Sequence, residues 1–193
     1  MKTQRSNSRN EALLQAAAML FASRGFLATS MRDIAKAVDM LPGSIYYHFP
    51  SKDDLLLAIY QAGVEQISAT FTEAVTPLDD PWQRLSAGMA ALVRAVTEES
   101  SGTRVIFKVM PDDVPRYRDE LIAFRDEFEA LFRDLIEQLP LQPNVDKHLV
   151  RLMMLGAGNH AQLWFSREGP YTPDEIGEQF CHYLQHATAR AEP

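Results

Sequence analysis

One cysteine, Cys181, is present in a chain of 193 residues. A single thiol excludes an intramolecular disulfide, so nothing in the covalent chemistry argues for an oxidising compartment. On a helical stretch such a thiol reads as packing. Long apolar runs are missing as well, and none approaches the roughly 20 residues that span a bilayer. Polar Met1 to Asn10 lacks the apolar core of a secretory signal. The expectation is a cytoplasmic protein with no membrane association. No Gly-rich phosphate loop, nucleophile elbow or paired-cysteine metal motif occurs, which removes the familiar enzyme signatures. His182 and His186 stand one helical turn apart, but no Glu follows the first of them as in zinc proteases. Neither a metal nor a cofactor is expected.

Strand patterns are also absent, because no period-two alternation is bounded by turns. Helix starts are abundant instead. Ser8 to Glu11, Ser30 to Asp33 and Ser51 to Asp54 have the capping-box spacing. Asp80-Pro81 and Thr172-Pro173 put a cap residue before Pro at the first helical position. With stops at Gly and Pro, the chain reads as all-α with about nine helices. They fall near 9–23, 30–38, 43–49, 52–75, 81–99, 103–110, 116–139, 145–166 and 173–190. The expected division is a three-helix head over residues 1–52 and a helical body over 53–193.

Charge separates the same two parts. The net charge is −7, yet residues 1–52 hold seven basic side chains and three acidic ones, a net +4. The remaining residues hold 12 basic and 23 acidic side chains, a net −11. A basic head on an acidic body suggests that the head alone meets a polyanion.

Within the head, Leu13, Ala17, Leu20 and Phe21 make an apolar stripe, and Gly25 ends the first helix. Met31, Ile34, Ala35 and Val38 turn inward from the second helix, and Ile45 and Phe49 from the third. Ser44, Tyr47 and His48 then face outward with Tyr46 at the edge, an array suited to phosphate oxygens, sugars and thymine methyls. Gly43 lets the helix start approach a groove, and Lys52 offers a phosphate partner. Thr29 and Ser30 make a second phosphate site at a helix start. Arg32 is a candidate for a guanine edge. Lys2, Arg5 and Arg9 are candidates for an arm along the DNA backbone.

The stretch "FASRGFLATSMRDIAKAVDMLPGSIYYHFPSKDDLL" resembles the DNA-binding domain of the TetR family of transcriptional regulators. The likeness covers roughly residues 10–58. It implies a helix-turn-helix in which Thr29, Ser30, Tyr47, His48 and Lys52 hold phosphates, while Arg32, Pro42, Gly43 and Tyr46 lie near base edges. The turn "VDML" departs from the more usual Val-Gly-Val-Ser. Asp39 can take a left-handed conformation less readily than Gly, and Leu41 removes a hydroxyl cap.

The resemblance also implies a body that binds a small molecule and makes a homodimer through its last two long helices. In agreement, Leu149, Leu152, Met153, Leu155 and Gly156 leave the eighth helix little polar face, and Phe180, Tyr183, Leu184 and Ala187 stripe the ninth. Phe107, Met110 and Phe128 are candidates for an apolar cavity, although the four-residue steps of Phe124, Phe128 and Phe132 equally suit ordinary core. Arg125, Asn159 and His160 are polar groups in apolar surroundings. Each is either a ligand contact or a satisfied structural group.

"LMMLGAGNHAQLWFSREG" is similar to regulators of this family that respond to acyl-coenzyme A thioesters. By that likeness Trp164 and Arg167 receive adenine or phosphates, and apolar side chains the acyl group. The readings are therefore a ligand-responsive repressor of double-stranded DNA, released by a small effector such as an acyl-CoA; a broad drug or xenobiotic sensor of the same family; or a helical enzyme.

Overall fold

Helix-forming sequence alone accounts for the architecture of the computed structural model, which describes residues 2–98 and 103–188, with side chains from Asn10 onward. Its described residues contain nine α-helices and no strand: α1 (Lys2–Arg24), α2 (Met31–Ala37), α3 (Pro42–His48), α4 (Lys52–Val75), α5 (Pro81–Thr97), α6 (Arg104–Lys108), α7 (Arg118–Glu137), α8 (Lys147–Trp164) and α9 (Pro173–Thr188). Two short 3-10 turns, Pro111–Asp113 and Pro115–Tyr117, join α6 to α7.

The caps set several of these starts. Asp80 accepts from the Gln83 amide at 2.8 Å ahead of α5. Thr172 and Glu175 cap α9 reciprocally, with the Thr172 amide on the Glu175 carboxylate at 2.7 Å and the Glu175 amide on the Thr172 hydroxyl at 3.2 Å. Asp146 caps α8 in one direction only, its side chain accepting from the amides of His148 and Leu149. One expected cap is not a start. Helix α1 already runs through Ser8 from Lys2, so the Ser8–Glu11 spacing lies inside it. The expected arm of Lys2, Arg5 and Arg9 therefore has helical backbone, and its side chains lie outside the described ones.

By its internal packing the chain groups into two compact units. One takes Met1–Glu65 with Glu99–Arg125, the other Gln66–Glu98 with Asp126–Pro193. Helices α4 and α7 each contribute to both.

In the first unit Leu13, Ala17, Phe21, Phe26, Met31, Ile34, Ala35 and Ile45 are buried, and Val38 and Phe49 half-buried. Farther along, Tyr60 of α4 is fully buried and stacks on Phe124 at 6.3 Å. Its hydroxyl donates to the Ile106 carbonyl at 3.3 Å, and burial raises its pKa. Gly63 lies against Ile106, where a Cβ would meet the Ile106 side chain at 2.9 Å.

The second unit is built on α5, whose Leu85, Met89, Leu92, Val93 and Val96 are buried. Helix α8 packs on it through Gly158, where a Cβ would lie 2.6 Å from Leu92. Helix α9 comes closer still, for a Cβ on Gly177 would stand 2.4 Å from the Ala90 backbone nitrogen. Ile176, Gly177, Cys181 and Leu184 form its buried face, rather than the stripe through Tyr183 and Ala187, both of which are exposed. Burial pushes the Cys181 thiol up to about 12, in keeping with a packing role. No helix among the described residues is long and apolar enough to cross a membrane.

Gly177 has no flexible neighbour to yield. Gly177→Ala is expected to destabilise the protein by about 3 kcal/mol, the upper part of the range for forced overpacking. Urea denaturation checks this, with Gly156→Ala as the contrast, since a Cβ there meets nothing within 4 Å.

Candidate nucleic-acid interface

The interface begins where α1 stops. Gly25 has φ +90° and its amide donates to the Phe21 carbonyl at 3.0 Å, a left-handed helix end that suits glycine. Phe26 then turns back into the core, edge-on to Phe21 at 5.2 Å. Ser30 opens α2 with a reciprocal box: the Asp33 amide donates to the Ser30 hydroxyl at 3.2 Å, and the Ser30 amide to the Asp33 carboxylate at 2.9 Å. The Ser30 hydroxyl, which donates to the Asp33 carboxylate, and after it the Ser30 amide hold the Asp33 carboxyl below its ordinary pKa.

Two residues expected to grip phosphate also bond within the head. Thr29 is only 2% exposed, and its hydroxyl donates to the Gly25 carbonyl at 2.8 Å. Lys52 is half-buried, and its ammonium donates to the carbonyls of Phe26 at 2.8 Å and Thr29 at 3.0 Å. It also sits 4.3 Å from the Phe26 ring centroid. Both groups brace the α1–α2 turn. Nothing in local spacing announces this, because the carbonyls that Lys52 binds are 26 and 23 residues away in sequence.

The turn from α2 to α3 is a Schellman ending. The Met40 amide donates to the Ala35 carbonyl at 2.9 Å and the Asp39 amide to Lys36 at 3.4 Å, with Asp39 at φ +52°. Leu41 occupies the N-cap of α3 with no side-chain cap bond, and Pro42 takes the first helical position. Ile45 alone of α3 is fully buried. Pro42, Gly43, Ser44, Tyr46 and Tyr47 are exposed, Tyr47 at 89%, and a Cβ on Gly43 would meet open space. His48 is half-buried, edge-on to Tyr47 at 5.6 Å. Ser30, Arg32 and Lys36 are exposed on α2 and at its start. A cleft of about 560 Å³ beside α3 is lined by Met40, Leu41, Ser44, Tyr47 and His48 among others.

Helix α4 starts on a second carboxylate anchor. Asp54 takes hydrogen bonds from Ser51, whose side-chain bond does most to hold its pKa below the ordinary value, and from the Tyr117 hydroxyl. Lys108 of α6 donates to the Ala22 carbonyl at 2.6 Å, at the end of α1.

Candidate effector residues are dispersed. In the first unit Met110 is exposed, Phe107 and Arg125 are half-buried, and an Arg125 Nη1 lies 3.5 Å from the Met110 sulfur. In the second, Phe128 is core: it packs edge-on to Phe132 at 5.6 Å and Phe71 at 6.4 Å. His160 is exposed rather than enclosed, because it lies on the α8 face turned away from α5. Asn159 is half-buried, with its side-chain oxygen buried and unpaired. Trp164 is exposed. Arg167 lines a cleft of about 480 Å³ with Arg94, Glu98, Phe165 and Tyr171. Sequence reasoning missed Arg94, which pairs there with Asp174 of α9. No group of three His, Cys, Asp or Glu among the described residues could hold a metal ion.

Two family models match this chain: bacterial regulatory proteins of the tetR family over residues 13–59, and the tetracyclin repressor-like C-terminal domain over residues 78–188. The chain belongs to the TetR family. A TetR-family protein of this build is a DNA-binding transcriptional regulator and not an enzyme. Among similar proteins, the transcriptional repressor KstR2 of Mycobacterium tuberculosis H37Rv is 28% identical over 180 residues, covering 90% of each chain. The transcriptional activator FasR of Mycolicibacterium smegmatis is 28% identical over 177 residues, covering 89% of this chain and 79% of FasR. Among solved structures, AibR in complex with isovaleryl coenzyme A and operator DNA superposes with a TM-score of 0.79 at 25% identity. That match covers 91% of this chain and 97% of AibR.

The Asp39 geometry generates a prediction of opposite sign to most mutations. Asp39→Gly is expected to stabilise the protein by about 0.5–1 kcal/mol, since glycine reaches φ +52° without the Cβ penalty. The urea midpoint checks it.

Proposed function

We propose that this TetR-family regulator is a homodimeric repressor that binds an inverted-repeat operator through α3 and is released by an acyl-coenzyme A thioester. The observation that carries the DNA half is the outward face of α3. Ser44, Tyr46, Tyr47 and the edge of His48 stand exposed while Ile45 anchors the helix from behind. Hydroxyls and imidazole there are suited to phosphates and base edges, with Arg32 one helix earlier as a guanine reader. Ser30 offers its helix start, and Pro42 and Gly43 permit close approach. Thr29 and Lys52 contribute by fixing the turn that presents these groups.

Dimerisation is supported by α8. Leu149, Leu152, Met153 and Gly156 recur at three- and four-residue steps, and Leu163 follows two turns on, on the face opposite its buried side, with Leu149 60% and Leu163 71% exposed. A stripe of that length on one helix suits a second copy of the same helix. Two heads then meet successive turns of one groove, with half-sites about 34 Å apart or more. His160 falls within that stripe.

The effector reading rests on chemistry and on the AibR likeness. In the second unit Arg167 supplies a cation suited to coenzyme A phosphates and Trp164 an aromatic face for adenine; in the first, taken by itself, Arg125 supplies a cation and Phe107 and Met110 apolar surface for an acyl chain. Phe128 is core of the second unit, against Phe71 and Phe132, and Asn159 brings an unpaired carbonyl oxygen that a ligand donor would satisfy. The thioester releases DNA only as far as its affinity differs between the two states, carried along α4, which runs from one unit into the other.

Fluorescence anisotropy on DNA from upstream of the protein's own gene, titrated with acyl-CoA thioesters and their free acids, tests this reading. The expected result is tight, salt-sensitive binding released by a thioester and not by its acid. Binding that every thioester leaves untouched would remove the effector assignment. Separately, Met153→Glu is expected to yield monomer by light scattering and to weaken operator binding about 100-fold, through loss of the second head.

A further inference from the structure

The leading edge of α3 is chemically unlike the rest of its outward face. Leu41 is 77% exposed at the N-cap and makes no cap bond, so it contributes neither to the core nor to the helix start. A leucine there forgoes the stabilisation of about 1 kcal/mol that a capping hydroxyl or carboxylate brings. Pro42 follows with no amide hydrogen, and Gly43 with no side chain. The first hydrogen-bonding side chain on this edge is Ser44.

In a helix-turn-helix the N-terminal end of the second helix is the part that reaches base edges. Every base-pair edge in the major groove offers donors and acceptors, and only thymine adds an apolar group, the C5 methyl. An exposed aliphatic side chain flanked by Pro42 and Gly43 satisfies no donor or acceptor, and leaves any that it covers unpaired. The one groove feature that rewards it is a methyl.

We propose that Leu41 is a specificity-determining residue that reads the C5 methyl of one thymine in each operator half-site. The inference rests on α3 being the reading helix. The neighbouring exposed groups divide the work: Leu41 selects thymine by apolar contact, while Ser44 and Tyr47 bond to polar atoms of the DNA.

The test replaces thymine by deoxyuridine, which removes the methyl and keeps the pairing. An operator is first selected from random duplexes with the wild-type protein. Each thymine is then replaced in turn, and binding of wild type, Leu41→Ala and Leu41→Ser is measured by anisotropy. Wild type is expected to lose about fourfold in affinity per half-site at one position, the value of burying one methyl. Both variants are expected to be indifferent to that substitution. Leu41→Ser restores a cap and is expected to melt no lower than wild type, which separates lost discrimination from lost folding. Indifference of the wild type to every deoxyuridine, or an unchanged penalty in Leu41→Ala, would overturn the assignment. If Tyr47→Ala abolishes binding in that case, α3 remains the reading helix. Failure of any duplex to be selected would overturn both.

Discussion

The ammonium of Lys52 donates to the carbonyls of Phe26 and Thr29 and lies against the Phe26 ring, so the first residue of α4 is bonded to the turn between α1 and α2. A charge that is half-buried needs partners, and backbone carbonyls at the end of a tight turn provide them without a counter-ion. That turn also carries Gly25 in its left-handed conformation and the Thr29 hydroxyl folded back on the Gly25 carbonyl. It delivers the chain to Ser30, where the cap of α2 begins. The position of α2, and through the Schellman turn that of α3, follows from this one cluster. Tyr117 and Arg116 bear on Asp54 two residues later, so α4 is held at its start from two sides.

A different constraint organises the second unit. Helix α9 reaches the α5 backbone at Gly177, and α8 reaches the α5 side chains at Gly158, so both depend on missing side chains. Close approach of this kind fixes which face of each helix is buried. For α8 the consequence is that the apolar residues on the opposite face stay open, and the same glycine-rich run divides its labour. Gly158 packs within the chain, whereas Gly156 faces outward with nothing near it.

Much of this was legible beforehand. The capping pairs at Ser30, Ser51, Asp80 and Thr172 are local, involving residues at most three apart, and they mark helix starts wherever they precede an apolar stripe. The start of α1 was misplaced because Ser8 and Glu11 have a capping spacing that the helix runs through. Burial of single side chains was less legible. His160 and Tyr183 sit among apolar neighbours in sequence and yet point away from the core, because a helix turns 100° per residue. Phe128 could be core or cavity by spacing, and its rings-on-rings contact with Phe71 and Phe132 is a tertiary fact.

The sequence by itself determined the all-α class, the helix boundaries to within a few residues at most ends, the helix-turn-helix and the basic character of its head. These depend on periodicity, caps and charge, which act over one or two turns. The tertiary structure alone decided which polar groups are free. Thr29 and Lys52 have the chemistry to hold phosphate, and both also donate to backbone carbonyls within the head, those of Lys52 distant in sequence. The tertiary structure also decided that Leu41 is exposed and that Arg167 shares a cleft with Arg94, because exposure and proximity are set by packing between segments.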